Sequence, residues 1–229
     1  MAITPLIDFE IHWCSIKSVH PGPRGGKLSE QHRSVKSRGY EMRKRAEDVG
    51  RTRQRIVEAA VYLHGTTGPA ATSIAAIAER AGVTRLTVYR HFPDEPALFA
   101  ACSGHWLSQQ TLPRPEEWAA VEDPDERLRI GLTDLYRFYR GGERMLTLGV
   151  RDQHAVPELI RQAWEETNRR YIEVLVGASV GEGDRMRRAA IGHAADFTTW
   201  HSLCREQGLE DSEAVKAMAA LVKEVSAAN

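Results

Sequence analysis

Cysteine is scarce in this chain. The three present, Cys14, Cys102 and Cys204, are odd in number, far apart and form no CxxC pair. A disulfide framework and a zinc ribbon are thereby excluded, and reduced thiols in a cytoplasmic protein are expected. No stretch approaches the ~18 apolar residues of a membrane span. Asp8 and Glu10 interrupt the region where a signal peptide needs an unbroken apolar run. The sequence also lacks GxSxG, Walker A, GxGxxG and HExxH motifs, so neither catalysis nor a cofactor is expected. Gly181, Glu182 and Gly183 read as a loop between helices, not a phosphate cradle. No segment alternates apolar and polar residues in the manner of a half-buried strand, so no sheet is expected.

An excess of charge is missing too, but only in the sum. Lys+Arg and Asp+Glu number 31 each in 229 residues. Residues 1–92 hold 15 basic and 8 acidic side chains, and residues 93–229 hold 16 and 23. A basic front on a neutral protein suggests an anionic partner there, nucleic acid above all. Hydrophobic residues make up 42%, enough for a substantial core.

Three regions differ in character. Residues 1–50 read as a mostly disordered basic tail. Pro21, Gly22, Pro23, Gly25 and Gly26 break any period there, and eight basic residues stand against two acidic ones between Arg24 and Arg45. Such a tail is either an inert extension or a DNA-contacting arm. Met42, which opens a compact run, is a candidate alternative start. Residues 51–95 read as three helices. The first, about 51–65, carries Ile56, Ala60 and Leu63 on one face. The second follows Ser73, an N-cap type, and Gly82 breaks it. The third follows Thr84 and ends near Phe92 and Pro93. Residues 96–229 read as longer helices near 96–110, 124–140, 142–153, 157–177, 184–207 and 211–226, with Asp184 and Asp211 or Ser212 as capping types. The expected fold is all-α: a homeodomain-like three-helix domain followed by a helical bundle.

The run Ser73–Phe92, SIAAIAERAGVTRLTVYRHF, has the layout of a helix-turn-helix, two short helices joined at a residue that tolerates positive φ. On the wheel of its second helix Val88 and Phe92 point inward. Leu86, Tyr89 and Arg90 point outward, with Arg85, Thr87 and His91 on the flanks. Arginine can bond guanine at two atoms, leucine can meet a thymine methyl, and tyrosine and histidine can donate to phosphate. The competing reading is a helical hairpin inside an all-α core with a solvated charged face.

The run AGVTRLTVYRHFPDEPALF, with IAAIAERAGV before it and RQRIVEAA at Arg53–Ala60, resembles the DNA-binding domain of the TetR family of bacterial regulators. The resemblance covers about 45 residues, a fifth of the chain. It implies a ligand-responsive homodimeric repressor that binds a palindromic operator and leaves it when a small ligand binds. It carries the recognition positions over to Thr84, Arg85, Leu86, Thr87, Tyr89 and His91, with Thr72 and Ser73 near the DNA backbone. Two residues depart from the family pattern: Leu86 stands where Gly or Pro is usual, and Glu95 where a phosphate-contacting Lys is common. Arg43, Lys44, Arg45, Arg51 and Arg53 are candidates to compensate. A sequence-tolerant DNA-coating protein and an interaction module with a decayed helix-turn-helix are the alternatives.

In the C-terminal part, Met186, Ala190, His193, Phe197, Trp200 and Cys204 step by 4, 3, 4, 3, 4 residues. Val215, Met218, Val222 and Val225 step by 3, 4, 3. Stripes of this spacing bury against partner helices, within one subunit or between two. The resemblance favours a dimer interface through Met186, His193, Phe197, Trp200, Val215, Met218 and Val222. Ten of the 16 aromatics lie from Phe99 onward. Trp106, Tyr136, Tyr139, Met145, Trp164 and Tyr171, with Leu132, Phe138 and Leu148, are the candidate lining of a pocket for an apolar or aromatic ligand. The competing reading of each is core packing. His193 and His201 lie roughly 12 Å apart along a helix, too far to share a metal ion. The expected partners are double-stranded DNA, a second copy of the chain and a small molecule.

Overall fold

The computed structural model describes residues 31–177 and 185–227, with side chains described from Tyr40 to Gly177 and from Arg185 to Val225. The glycine- and proline-rich start of the tail, Cys14, the loop at Gly181–Gly183 and the capping residue Asp184 lie outside the described residues. Among those described, every regular element is helical, as the all-α expectation has it. No described helix is long and apolar enough to cross a membrane.

The helices are α1 (Gln31–His64), α2 (Ile74–Ala81), α3 (Arg85–His91), α4 (Glu95–Ser108), α5 (Pro115–Ala119), α6 (Pro124–Arg151), α7 (Glu158–Val176), α8 (Arg185–Ala194), α9 (Phe197–His201) and α10 (Asp211–Ala227). A π-helical turn, Ser202–Glu206, follows α9. Two compact units divide the chain: residues up to Leu63 with Ala71–His105, and His64–Ala70 with the residues from Trp106 on. The boundary read from sequence, at 95/96, falls inside the first unit.

The first unit has its own core. Ile56, Ala60, Ile77, Ala81, Val88, Phe92, Leu98 and Cys102 are buried together. Burying one such aliphatic side chain contributes about 1.5–3 kcal/mol, enough to fix short helices that would not hold alone. α1 starts at Gln31, twenty residues earlier than the pattern suggested. Its side chains from Tyr40 to Gly50 are all exposed. No apolar face is buried there, so the stretch carries no helical period of apolar residues. Good helix formers such as Glu41, Met42, Arg43, Lys44, Arg45, Ala46 and Glu47 carry the helix through.

The second unit is built on α6, α7, α8 and α10. Trp118, Leu132, Tyr136, Tyr139, Leu175, Ile191, Trp200, Val215, Met218 and Val222 are buried in one cluster. Two helix boundaries differ from the sequence reading. α6 is one helix of 28 residues where a break near Gly141 was expected. Gly142 is no helix breaker here: the Trp106 ring lies so close that a Cβ would sit 2.9 Å from Cζ2. The expected helix 184–207 is broken at Ala195 and Asp196. Asp196 caps α9, its carboxylate accepting from the Thr198 N–H at 2.7 Å. The carbonyls near the break are taken up by tyrosines, Tyr136 Oη donating to Ala194 O at 2.8 Å and Tyr139 Oη to Ala195 O at 2.6 Å.

Candidate nucleic-acid interface

Local rules place the helix-turn-helix. Ser73 Oγ accepts from the Ala76 N–H at 3.1 Å and starts α2. Gly82 ends it in the left-handed conformation, φ 63°, with its N–H and that of Val83 donating to Glu79 and Ala78 carbonyls. Thr84 then caps α3, its Oγ1 accepting from the Thr87 N–H at 3.2 Å and lying 3.0 Å from Thr87 Oγ1. Each cap typically contributes about 1 kcal/mol, and together they fix the turn between the two helices.

Gly82 is required by backbone and by space. A Cβ there would meet Arg55 Nη2 at 2.9 Å. The same guanidinium bonds the Ala81 carbonyl and, at 3.2 Å, that of Gly82. Gly82→Ala should therefore destabilise the first unit by about 1–2 kcal/mol, the cost of a left-handed non-glycine residue. A thermal melt reads this, and an unchanged midpoint would mean the turn relaxes without cost.

α3 shows two faces. Val88 and Phe92 are 1% and 3% exposed and belong to the core. On the other side Leu86 is 78% and Tyr89 52% exposed, and Arg85 and Arg90 are exposed as well. Thr87 and His91 are half-buried on the flanks, as is Thr72 ahead of α2. Arg85, Leu86, Tyr89 and Arg90 thus form one surface, with donors, a cation pair and an apolar contact. Partial burial, then the charges of Arg90 and Arg53, hold the His91 imidazole below its ordinary pKa. Arg53 lies over the Phe92 ring, 4.7 Å from its centroid.

The departure at Glu95 also has a local explanation. Asp94 Oδ1 accepts from the Ala97 N–H at 2.8 Å, and Glu95 opens the first turn of α4. Carboxylates are favourable at a helix N-terminus, so this pair serves the helix and brings no cation to the surface.

The structural roles of Arg55 and Arg90 escaped the sequence reading. Arg55 bonds main-chain carbonyls 26 and 27 positions away, which leaves no local signal in the sequence. Arg90 was placed outward by the wheel but not carried over with the recognition positions.

In the second unit the residues expected to line a ligand pocket pack against one another. Tyr136 and Tyr139 are buried, with both hydroxyls bonded to main-chain carbonyls. Trp106 packs on Phe138 at 6.0 Å and Tyr171 on Trp118 at 5.4 Å, all tilted ring pairs. Such contacts are those of packed aromatic side chains. Met145 and Trp164 are half-buried. An open groove of about 520 Å³ is lined by Thr66, Arg140, Glu143, Arg144 and His201 among others. Of the residues singled out for a ligand, it holds only Leu148. Its rim is charged.

The dimer stripes are largely buried within the single chain. Trp200, Val215, Met218 and Val222 are 0–6% exposed within the single chain, and Phe197 packs against their cluster. The area of these four residues is taken up inside the subunit, and Phe197 is partly buried. Met186, 51% exposed, and His193 keep free surface.

Residues 56–102 match the family model described as bacterial regulatory proteins, tetR family. A curated relative, the HTH-type transcriptional regulator AcrR of Shigella flexneri, is 41% identical over 58 residues. That match spans 25% of this chain and 27% of the relative's length. Among solved structures, NalD of Pseudomonas aeruginosa, the secondary repressor of the MexAB-OprM multidrug efflux pump, shares 22% identity with a TM-score of 0.53. The alignment covers 78% of this chain and 97% of that one. The transcriptional regulator FadR of Bacillus subtilis, solved with stearoyl-CoA, shares 19% identity with a TM-score of 0.54 over 74% and 96% of the two chains. At these identities the two structures share the fold of this chain. The capped helix-turn-helix and the outward face of α3 lie within residues 56–102, the part of the chain that is similar to the tetR family of bacterial regulatory proteins.

Proposed function

We propose that the chain is a DNA-binding transcriptional repressor that acts in the cytoplasm as a homodimer on a palindromic operator. The observation that carries this is the two-sidedness of α3. Val88 and Phe92 hold it in the core while Arg85, Leu86, Tyr89 and Arg90 stay outside. One short helix reads few base pairs, and two related by symmetry read a palindrome with half-sites about one helical turn or a multiple apart. Release by a small molecule completes the reading. Its support is the fold shared with FadR, whose structure was solved with stearoyl-CoA. A ligand that prefers the DNA-free state by ~10–100-fold would couple the two sites by about 1–3 kcal/mol.

A gel shift with the DNA beside the chain's own gene tests it. Wild type should shift that DNA ahead of a mixed-sequence competitor. Arg85→Ala should cost about 1–3 kcal/mol and relax preference at one base position. Equal loss on specific and non-specific DNA would reduce Arg85 to a phosphate contact. Binding without any preference favours the sequence-tolerant alternative, and no binding favours the interaction module.

A further inference from the structure

The exposed stretch of α1 ahead of the core holds Arg43, Lys44 and Arg45, which the repressor reading of α3 does not use. We propose that Arg43, Lys44 and Arg45 form a second DNA contact, which grips the phosphate backbone flanking the bases read by α3. The inference rests on the DNA-binding reading of α3 and adds a separate surface to it.

Four observations carry it. First, from Tyr40 to Gly50 every side chain is exposed. Three turns of helix bury nothing, so the segment is not there to complete the core. Second, its charge is unbalanced. From Tyr40 to Arg55 six basic residues face three acidic ones, Glu41, Glu47 and Asp48. Asp48 is committed to Arg51. Arg43, Lys44 and Arg45 form no ion pair with any described residue.

Third, the segment starts beside the reading head. Arg53 lies over Phe92 at the end of α3, and Arg55 holds the turn at Ala81 and Gly82. Arg45 to Arg43 lie eight to ten residues before Arg53, about 12–15 Å along a helix axis. A duplex lying against α3 brings its backbone within that range. Fourth, the turn after α3 offers no cation to phosphate, because Asp94 and Glu95 serve the start of α4 there.

The chemistry selects backbone over bases. Three consecutive residues on a helix are set about 100° apart, so their charges spread over more than half of its circumference. A spread of this kind cannot present a single base-reading edge. It suits phosphates, which recur along the duplex and accept from any direction.

The test uses the full chain and its triple variant R43Q/K44Q/R45Q, which keeps strong helix formers and removes the charge. Fluorescence anisotropy would follow binding to two duplexes, one of mixed sequence and one from beside the chain's own gene, between about 50 and 200 mM salt. Each phosphate contact contributes about 0.9 to the slope of log affinity against log salt. The variant's slope should therefore fall by about 2–3 on both duplexes, with affinity lost in similar proportion on each. Arg85→Ala, run beside it, should lose preference and keep its slope. A triple variant with the wild-type slope overturns the proposal while leaving the reading of α3 intact. Loss on one duplex only would mean base reading and also overturns it. Wild type that binds neither duplex sinks both. A circular-dichroism spectrum equal to wild type confirms that the exposed substitutions leave the fold in place.

Discussion

Trp200→Ala should unfold the second unit far below the wild-type denaturant midpoint, with a loss of about 3–5 kcal/mol, the range for deleting a buried large aromatic. Trp200 is 0% exposed. Its indole N–H donates to Asp211 Oδ1 at 2.9 Å. Phe197 and Tyr139 lie 5.6 and 6.1 Å from it, centroid to centroid, and the Arg205 guanidinium stands 5.2 Å over the ring. The substitution opens a cavity among residues that cannot close it, because α6 and α10 are already tied by the Arg140–Asp211 pair at 2.6 and 2.7 Å. It also strips Asp211 of one donor. Trp200→Phe should keep much of the volume and cost less, with the lost hydrogen bond worth about 1 kcal/mol. Urea unfolding followed by circular dichroism reads both. The opposite outcome is equally visible: an unchanged midpoint with a smaller species in sedimentation would place Trp200 at a subunit contact, as the spacing alone allows.

That ambiguity shows where the sequence stops being legible. The helix-turn-helix was readable because everything that defines it is local. Ser73 and Thr84 cap within three residues, Gly82 takes a conformation that glycine favours, and Val88 and Phe92 fall on one face by period alone. A stripe such as Trp200–Cys204 or Val215–Val222 carries no mark of which surface it meets. The same 4-3 spacing serves a core or an interface, and only the fold of α6 and α7 around it decides. Tyr136 and Tyr139 were ambiguous for a related reason. Whether an aromatic ring lines a cavity or fills one depends on distant neighbours, here the broken backbone at Ala194 and Ala195 that takes their hydroxyls. Gly141 and Gly142 read as a break because glycine usually is one, and the Trp106 ring that explains Gly142 lies more than thirty residues away in sequence. The exposed half of α1 failed in the other direction: a helix with no buried face leaves no period to find.

Acidification from pH 7 to 4 should cost the protein about 3 kcal/mol through one residue, His64. It is 7% exposed at the end of α1. Burial lowers its pKa from 6.5 to about 4. The helix C-terminus on which it sits favours a protonated imidazole, and burial overrides that preference. The unfolded chain therefore binds a proton at this site between pH 6.5 and 4 that the folded chain refuses. Stability rises with pH wherever the unfolded state holds more protons. The contribution is complete above pH 6.5, falls as the pH drops through that window and is gone near pH 4. At 1.36 kcal/mol for each tenfold change in proton affinity, the interval amounts to about 3 kcal/mol. His64→Gln removes the titration and keeps a polar side chain of similar reach. Carboxylates that titrate in the same window act alike in both proteins, so the difference between the two stability curves isolates the imidazole. Urea midpoints measured at half-unit steps should converge as the pH falls, with wild type losing its advantage below pH 5. Parallel curves would mean that His64 takes its proton in the folded state as readily as in water, and that its burial is relieved in solution.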